Sequence, residues 1–172
     1  MKRVAILMAV LALAAACDDD SPTQPSNTGP IVFTAQLSAA NEVPPITNAE
    51  STARGTTTIT FNVPRDSTGA ITGGGQVTFG IQLNSFPSTS AAVVAAHIHP
   101  GAEGTNGGVL VSTGLSQAAP MVLTNGAANL AITVDISQTD ATNIAANPAN
   151  YYFNVHTPTN SGGAARGQLV RQ

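Results

Sequence analysis

From Ile31 onward the chain repeats one pattern: short runs in which apolar and polar residues alternate, separated by clusters of glycine, proline, asparagine and aspartate. A period of two puts successive side chains on opposite faces of an extended strand, so each run has one face for a core and one for solvent. Ile31, Phe33, Ala35 and Leu37 share a face in the first run, and Ile59, Phe61 and Val63 in the second. Val77, Phe79, Ile81 and Leu83 repeat the arrangement, as do Leu130, Ile132, Val134 and Ile136. Further strands are predicted over 92–99, 109–115, 151–156 and 167–171, with turn signals at 64–69, 73–75, 105–108 and 124–126. Residues 137–146 form one short helix, capped by Ser137 and stopped by Asn147-Pro148. Many short strands with a single connecting helix predict an all-β fold: an antiparallel Greek-key β-sandwich of about eight strands.

The N-terminal part follows a different rule. Lys2 and Arg3 precede an apolar run from Val4 to Leu13, then Ala14-Ala15-Ala16 and Cys17, the one cysteine of the chain. Residues 1–16 therefore read as a secretory signal, too short to span a bilayer. Its end resembles the lipobox of bacterial lipoproteins, with the leucine four residues rather than three before the cysteine. That resemblance implies a lipidated Cys17 and a membrane-anchored, extracytoplasmic protein, in the periplasm or at the cell surface. Residues 17–30 are acidic, then polar and proline-rich, and cannot bury enough apolar surface to fold. They form a tether to a domain over 31–172. With no second cysteine there is no disulfide, so the core must hold alone.

Composition removes several function classes. Without Lys2 and Arg3, four arginines face nine acids, a net charge of −5. No basic patch exists for nucleic acid. No serine stands in a nucleophile elbow, the six acids of the domain are dispersed, and Gly73-Gly74-Gly75 lacks the lysine and helix of a phosphate loop. Asn41 and Glu42, in Asn-Glu-Val-Pro-Pro, read as a turn with a loop hydrogen bond. Whether the module is an enzyme stays open.

The chemistry that remains is imidazole. Of three histidines, two form His97-x-His99, on one strand face about 6.6–7 Å apart along the strand; Val94, Ala96 and Ile98 take the opposite face. The third, His156, ends the run Tyr151 to His156. Two histidines at i and i+2 and a third from a neighbouring strand suit copper or zinc, with a position left open. Asn154 shares the strand face of His156 as a supporting partner. The alternative is a structural clamp, in which His97 and His99 hold the 100–108 loop against the strand of His156. Arg166 pairs with a buried acid or with loop carbonyls.

These motifs resemble a known family. Phe33-Thr-Ala-Gln-Leu-Ser-Ala-Ala-Asn-Glu-Val-Pro-Pro45, Ala96-His-Ile-His-Pro-Gly101, Asn106-Gly-Gly-Val-Leu-Val111, Tyr152-Phe-Asn-Val-His-Thr157 and Arg166-Gly-Gln-Leu169 are similar, in order, to the signatures of the CHRD domain, named after chordin. Here Gly108 stands where proline is common, and Ala164-Ala165 replace Glu-Ile before Arg166. The resemblance implies the fold and an extracytoplasmic setting; displayed there, the domain reads as a binding or structural module with an extracellular protein or glycan partner. A second similarity is to the copper-site pattern of Cu/Zn superoxide dismutase, which maps onto His97, His99, His156 and Arg166. The bridging and zinc-binding histidines of that enzyme have no counterpart in this chain.

Overall fold

A computed structural model describes residues 29–172. The signal segment, Cys17 and all but the end of the tether lie outside the described residues. Eleven strands appear: β1 (Ile31–Ser38), β2 (Arg54–Asn62), β3 (Gly75–Asn84), β4 (Ala92–Val93), β5 (Ala95–Pro100), β6 (Val111–Ser112), β7 (Met121–Val122), β8 (Ala128–Ile136), β9 (Tyr151–His156), β10 (Ala165–Gln168) and β11 (Val170–Arg171). One helix, α1 (Gln138–Ala146), joins β8 to β9, with the Ser137 hydroxyl accepting from the Asp140 N–H as its cap. No described helix is long and apolar enough to cross a membrane.

Hydrogen bonding runs through one antiparallel sheet in the order β6-β5-β9-β10-β1-β2-β3-β8, with β11 also paired to β1; β4 and β7 form a separate two-stranded ribbon. The all-β, antiparallel expectation holds, but the strands join into one sheet instead of two facing Greek-key layers. That sheet is nearly closed into a barrel. The ring of Phe79 on β3 lies 5.4 Å from that of Phe153 on β9, although β10, β1 and β2 separate the two strands in the sheet. Rings so far apart in strand order meet only if the sheet curls its apolar face inward.

The curled face is the core. Phe33, Ala35, Ile59, Phe61, Val77, Phe79, Ala96, Ile98, Phe153 and Val155 are all fully buried. The alternation read from β1, β2 and β3 matches this burial, except that Val63, beyond the end of β2, is half-buried. On β8 the apolar face is only half covered until Ile136, as suits a sheet edge. Ile144 and Ala141 of α1 are buried against the same cluster.

Two strands depart from expectation. The predicted 92–99 strand breaks at Val94, whose N–H donates to the His156 carbonyl (2.8 Å), so Val93 takes the buried position and Val94 does not. The break lets the chain leave the β4–β7 ribbon and enter the main sheet beside β9. The predicted 109–115 strand shrinks to β6: the Leu110 and Thr113 N–H groups still donate to the Ile98 and Ala96 carbonyls of β5, and Gly114, at φ +81°, then turns the chain away.

Candidate metal centre

The second face of β5, β9 and β10 is polar, yet it is buried. Loops 39–53, 101–110 and 157–164 lie over it, and Glu42, His99, Asn154, His156 and Arg166 are each less than a tenth exposed. Strand register fixes who meets whom. His97 stands opposite Asn154, and Ala95 opposite His156, in the β5–β9 pair. Asn154 also stands opposite Arg166 in the β9–β10 pair. His97, Asn154 and Arg166 therefore form one row across three strands, with His99 and Tyr152 in the adjacent row.

The three histidines converge. One ligand nitrogen from each of His97, His99 and His156 lies within 4.8 Å of the others, and this is the metal-capable cluster found among the described residues. Ring centroids are 5.0 Å apart for His97 and His156 and 5.4 Å for His97 and His99. Backbone carbonyls set two of the tautomers. His99 Nδ1 contacts the Gly107 and Gly108 carbonyls at 3.1 and 3.0 Å, and His156 Nδ1 contacts the Ser161 carbonyl at 3.0 Å. A carbonyl only accepts, so both Nδ1 atoms carry the proton and both Nε2 atoms present a lone pair. His156 Nε2 faces His97 Nδ1 at 3.2 Å. His99 Nε2 is buried and has no hydrogen-bond partner.

Burial keeps these rings neutral. Desolvation, then the neighbouring His156 and His99, pushes His97 down to about 4. Desolvation lowers His99 and His156 as well, against the opposing pull of their carbonyl partners. A neutral imidazole whose far nitrogen is held by a carbonyl is the form that binds a metal ion.

Arg166 holds the loops that cover this layer. Its Nε donates to the Asn41 carbonyl (2.7 Å), and Nη1 donates to the Thr105 carbonyl (3.0 Å) and to Asn106 Oδ1 (2.9 Å). Its guanidinium carbon lies 4.4 Å from the centroid of Tyr152. That ring in turn stacks on His99 at 4.9 Å, and its hydroxyl accepts from the Gly107 N–H. Gly107 must be glycine, because a Cβ there would strike the Pro100 carbonyl. Arg166 thus contacts loop carbonyls, one of the two kinds of partner read for it, and is 2% exposed. Asn41 makes the loop hydrogen bond anticipated for it, donating from Nδ2 to the Arg166 carbonyl (3.1 Å).

Two acids are buried that the sequence reading did not place inside: Glu50, which it passed over, and Glu42, which it read as part of a turn. Glu50 is 1% exposed and accepts from Ser90 Oγ, Thr157 Oγ1 and Asn160 Nδ2. Glu42 is 5% exposed, and burial, only partly offset by Arg166, pushes its carboxyl up to about 7. The signal for Glu42 was its place between a short turn and Val-Pro-Pro, where the chain has little freedom to carry the side chain out to solvent.

The fold and site define a class: a single antiparallel sheet curled around an apolar core, with a buried polar layer on its outer face. Within that class the chain belongs to the CHRD domain family, whose model matches residues 33–169. CHRD domains are typically extracellular or secreted modules. No curated protein and no solved structure matches the chain.

Proposed function

We propose that this protein is an exported module, anchored through a lipidated Cys17, whose working site is a three-imidazole centre for copper or zinc at His97, His99 and His156. The supporting observation is His99 Nε2: a buried lone pair without a partner, in a ring whose other nitrogen is protonated and held by two carbonyls. An unpaired buried polar atom is costly, and a metal ion removes that cost. Three nitrogens bound at about 2.0–2.1 Å in a tetrahedron lie about 3.3 Å apart, so closing the site from its present spread needs only small ring movements. His97 Nδ1 and His156 Nε2, which now face each other, would both turn to the ion, and His97 would then carry its proton on Nε2.

The clamp and metal readings are compatible on this geometry, since the carbonyl contacts that hold the loops also set the tautomers. Copper held by three imidazoles with an open position would be competent for one-electron chemistry on a small oxidant such as superoxide. Zinc there would act as a Lewis acid or a structural tie.

The test is metal analysis of the purified protein after exposure to Cu²⁺ and Zn²⁺ and desalting. About one equivalent is expected in the parent and none in the His97→Ala, His99→Ala double variant. A parent that retains no metal overturns the reading and leaves the histidines as a clamp, with a protein or glycan partner to be sought. In cell fractions, the parent should sediment with membranes and Cys17→Ala should not.

A further inference from the structure

The polar layer contains a carboxyl group to which no role has been given. Glu42 Oε1 is buried without a hydrogen-bond partner, and so is Asn154 Oδ1. The two side chains pack over Gly163, which has φ +141°; a Cβ there would lie 2.6 Å from Glu42 Oε2 and 2.7 Å from Asn154 Nδ2. Asn154 is the register partner of His97 and shares the strand face of His156. Glu42 is therefore one side chain removed from the histidine cluster. It also walls two openings, of about 420 Å³ beside Arg166 and Glu103 and about 300 Å³ beside Asn48 and Gly162, which give its proton a route to solvent.

A divalent cation held by three neutral imidazoles brings two positive charges into a buried layer and meets no charged ligand. Arg166 adds a third positive charge. Glu50 lies nearby, but its carboxylate already accepts three hydrogen bonds. The charged and titratable groups facing Glu42 are Arg166 from β10, Glu103 across the larger opening, and the imidazoles of β5 and β9 beyond Asn154. The geometry points to Glu42 as the proton-linked counter-charge of the three-histidine site: a divalent cation entering the site drives the Glu42 proton out to solvent and leaves a carboxylate. This inference rests on the metal reading above. Its protonation balance is simple, one carboxylic acid becoming one carboxylate and one released proton. With its carboxyl raised to about 7 by burial, Glu42 is mostly protonated in the metal-free protein at mildly acidic pH. Whatever the three imidazoles release is common to the parent and to Glu42→Gln, so the difference between the two reports Glu42.

The experiment is titration of the full chain with ZnCl₂ near pH 6, by calorimetry in two buffers of different ionisation enthalpy. The parent is expected to release about one proton more per zinc than Glu42→Gln. Zinc bound by both with equal proton release overturns the role of Glu42 and leaves the metal site standing. No zinc bound by the parent overturns the metal site itself, and this inference with it. Should Glu42→Gln fail to fold, infrared difference spectra of the parent decide instead. Loss of a protonated-carboxyl C=O band on zinc addition is the expected result, and an unchanged band overturns the proposal.

Discussion

Glu50 shows what one buried side chain does for the loops of this domain. Its carboxylate ties Ser90, Thr157 and Asn160 together, and its own N–H donates to Asn48 Oδ1 (2.9 Å). Three chain segments far apart in sequence therefore meet at one residue, beside the strand that ends in His156. Glu50→Ala leaves the buried hydroxyls of Ser90 and Thr157 without an acceptor, each worth about 1 kcal/mol or more, while Asn160 Nδ2 keeps Asn48 Oδ1. The expected loss is about 2 kcal/mol, read as a lower urea midpoint with an unchanged slope. An effect below about 0.5 kcal/mol would mean that water replaces the carboxylate at no cost. At this scale the sequence was partly legible. Three histidines in a chain with no others drew attention because imidazole chemistry is specific. Glu50 did not, and Glu42 was read only as part of a turn, because an acid in a loop is usually solvated, and only the covering loops reveal that these two are not.

At the scale of elements, period two was enough to find β1, β2, β3 and β8 and to orient their faces, because each has one apolar side and a long pairing. It could not show that the second face of β5, β9 and β10 is also buried. On β9, Tyr152, Asn154 and His156 alternate with Phe153 and Val155 as polar residues do at a surface, yet loops cover them. Nor could it show the break at Val94, where Val93 and Val94 are equally apolar and the choice belongs to hydrogen bonding with β9. The helix was legible from its ends. Ser137 Oγ accepts from the Asp140 N–H at 3.0 Å and donates to Asp140 Oδ2, and Asn147-Pro148 stops the helix. Ser137→Ala removes that cap and should lower stability by about 1 kcal/mol. Hydrogen exchange should quicken first in the opening turn of α1. No change there would mean that packing of Ala141 and Ile144 alone holds the helix.

At the scale of the molecule, stability of the metal-free protein should depend on pH through the buried layer. The three histidines are lowered in the folded state, His97 from an ordinary 6.5 to about 4. On acidification the unfolded chain takes up protons below about 6.5 that the folded protein refuses, so stability falls as pH drops through that window. Glu42 has the opposite sign. Its carboxyl, raised from 4.5 to about 7, keeps a proton in the folded state that the unfolded chain gives up, so its contribution falls as pH rises through that range. Three groups oppose one, and between pH 4.5 and 6.5 the histidines dominate. The melting temperature should climb across that interval and level off near neutrality, where the histidine contribution is complete and Glu42 still subtracts. Glu42→Gln should steepen the climb, and His97→Ala with His99→Ala should flatten it. Bound zinc or copper should steepen it further, because the metal needs all three rings unprotonated and stabilises only the folded state. The measurement is a series of thermal melts after chelator treatment, parent and variants side by side. A parent whose melting temperature is flat or falls from pH 4.5 to 6.5 would show that the imidazoles accept protons in the folded protein. Such rings would be reached by water, and the layer would not be the dry, neutral pocket on which the metal reading depends.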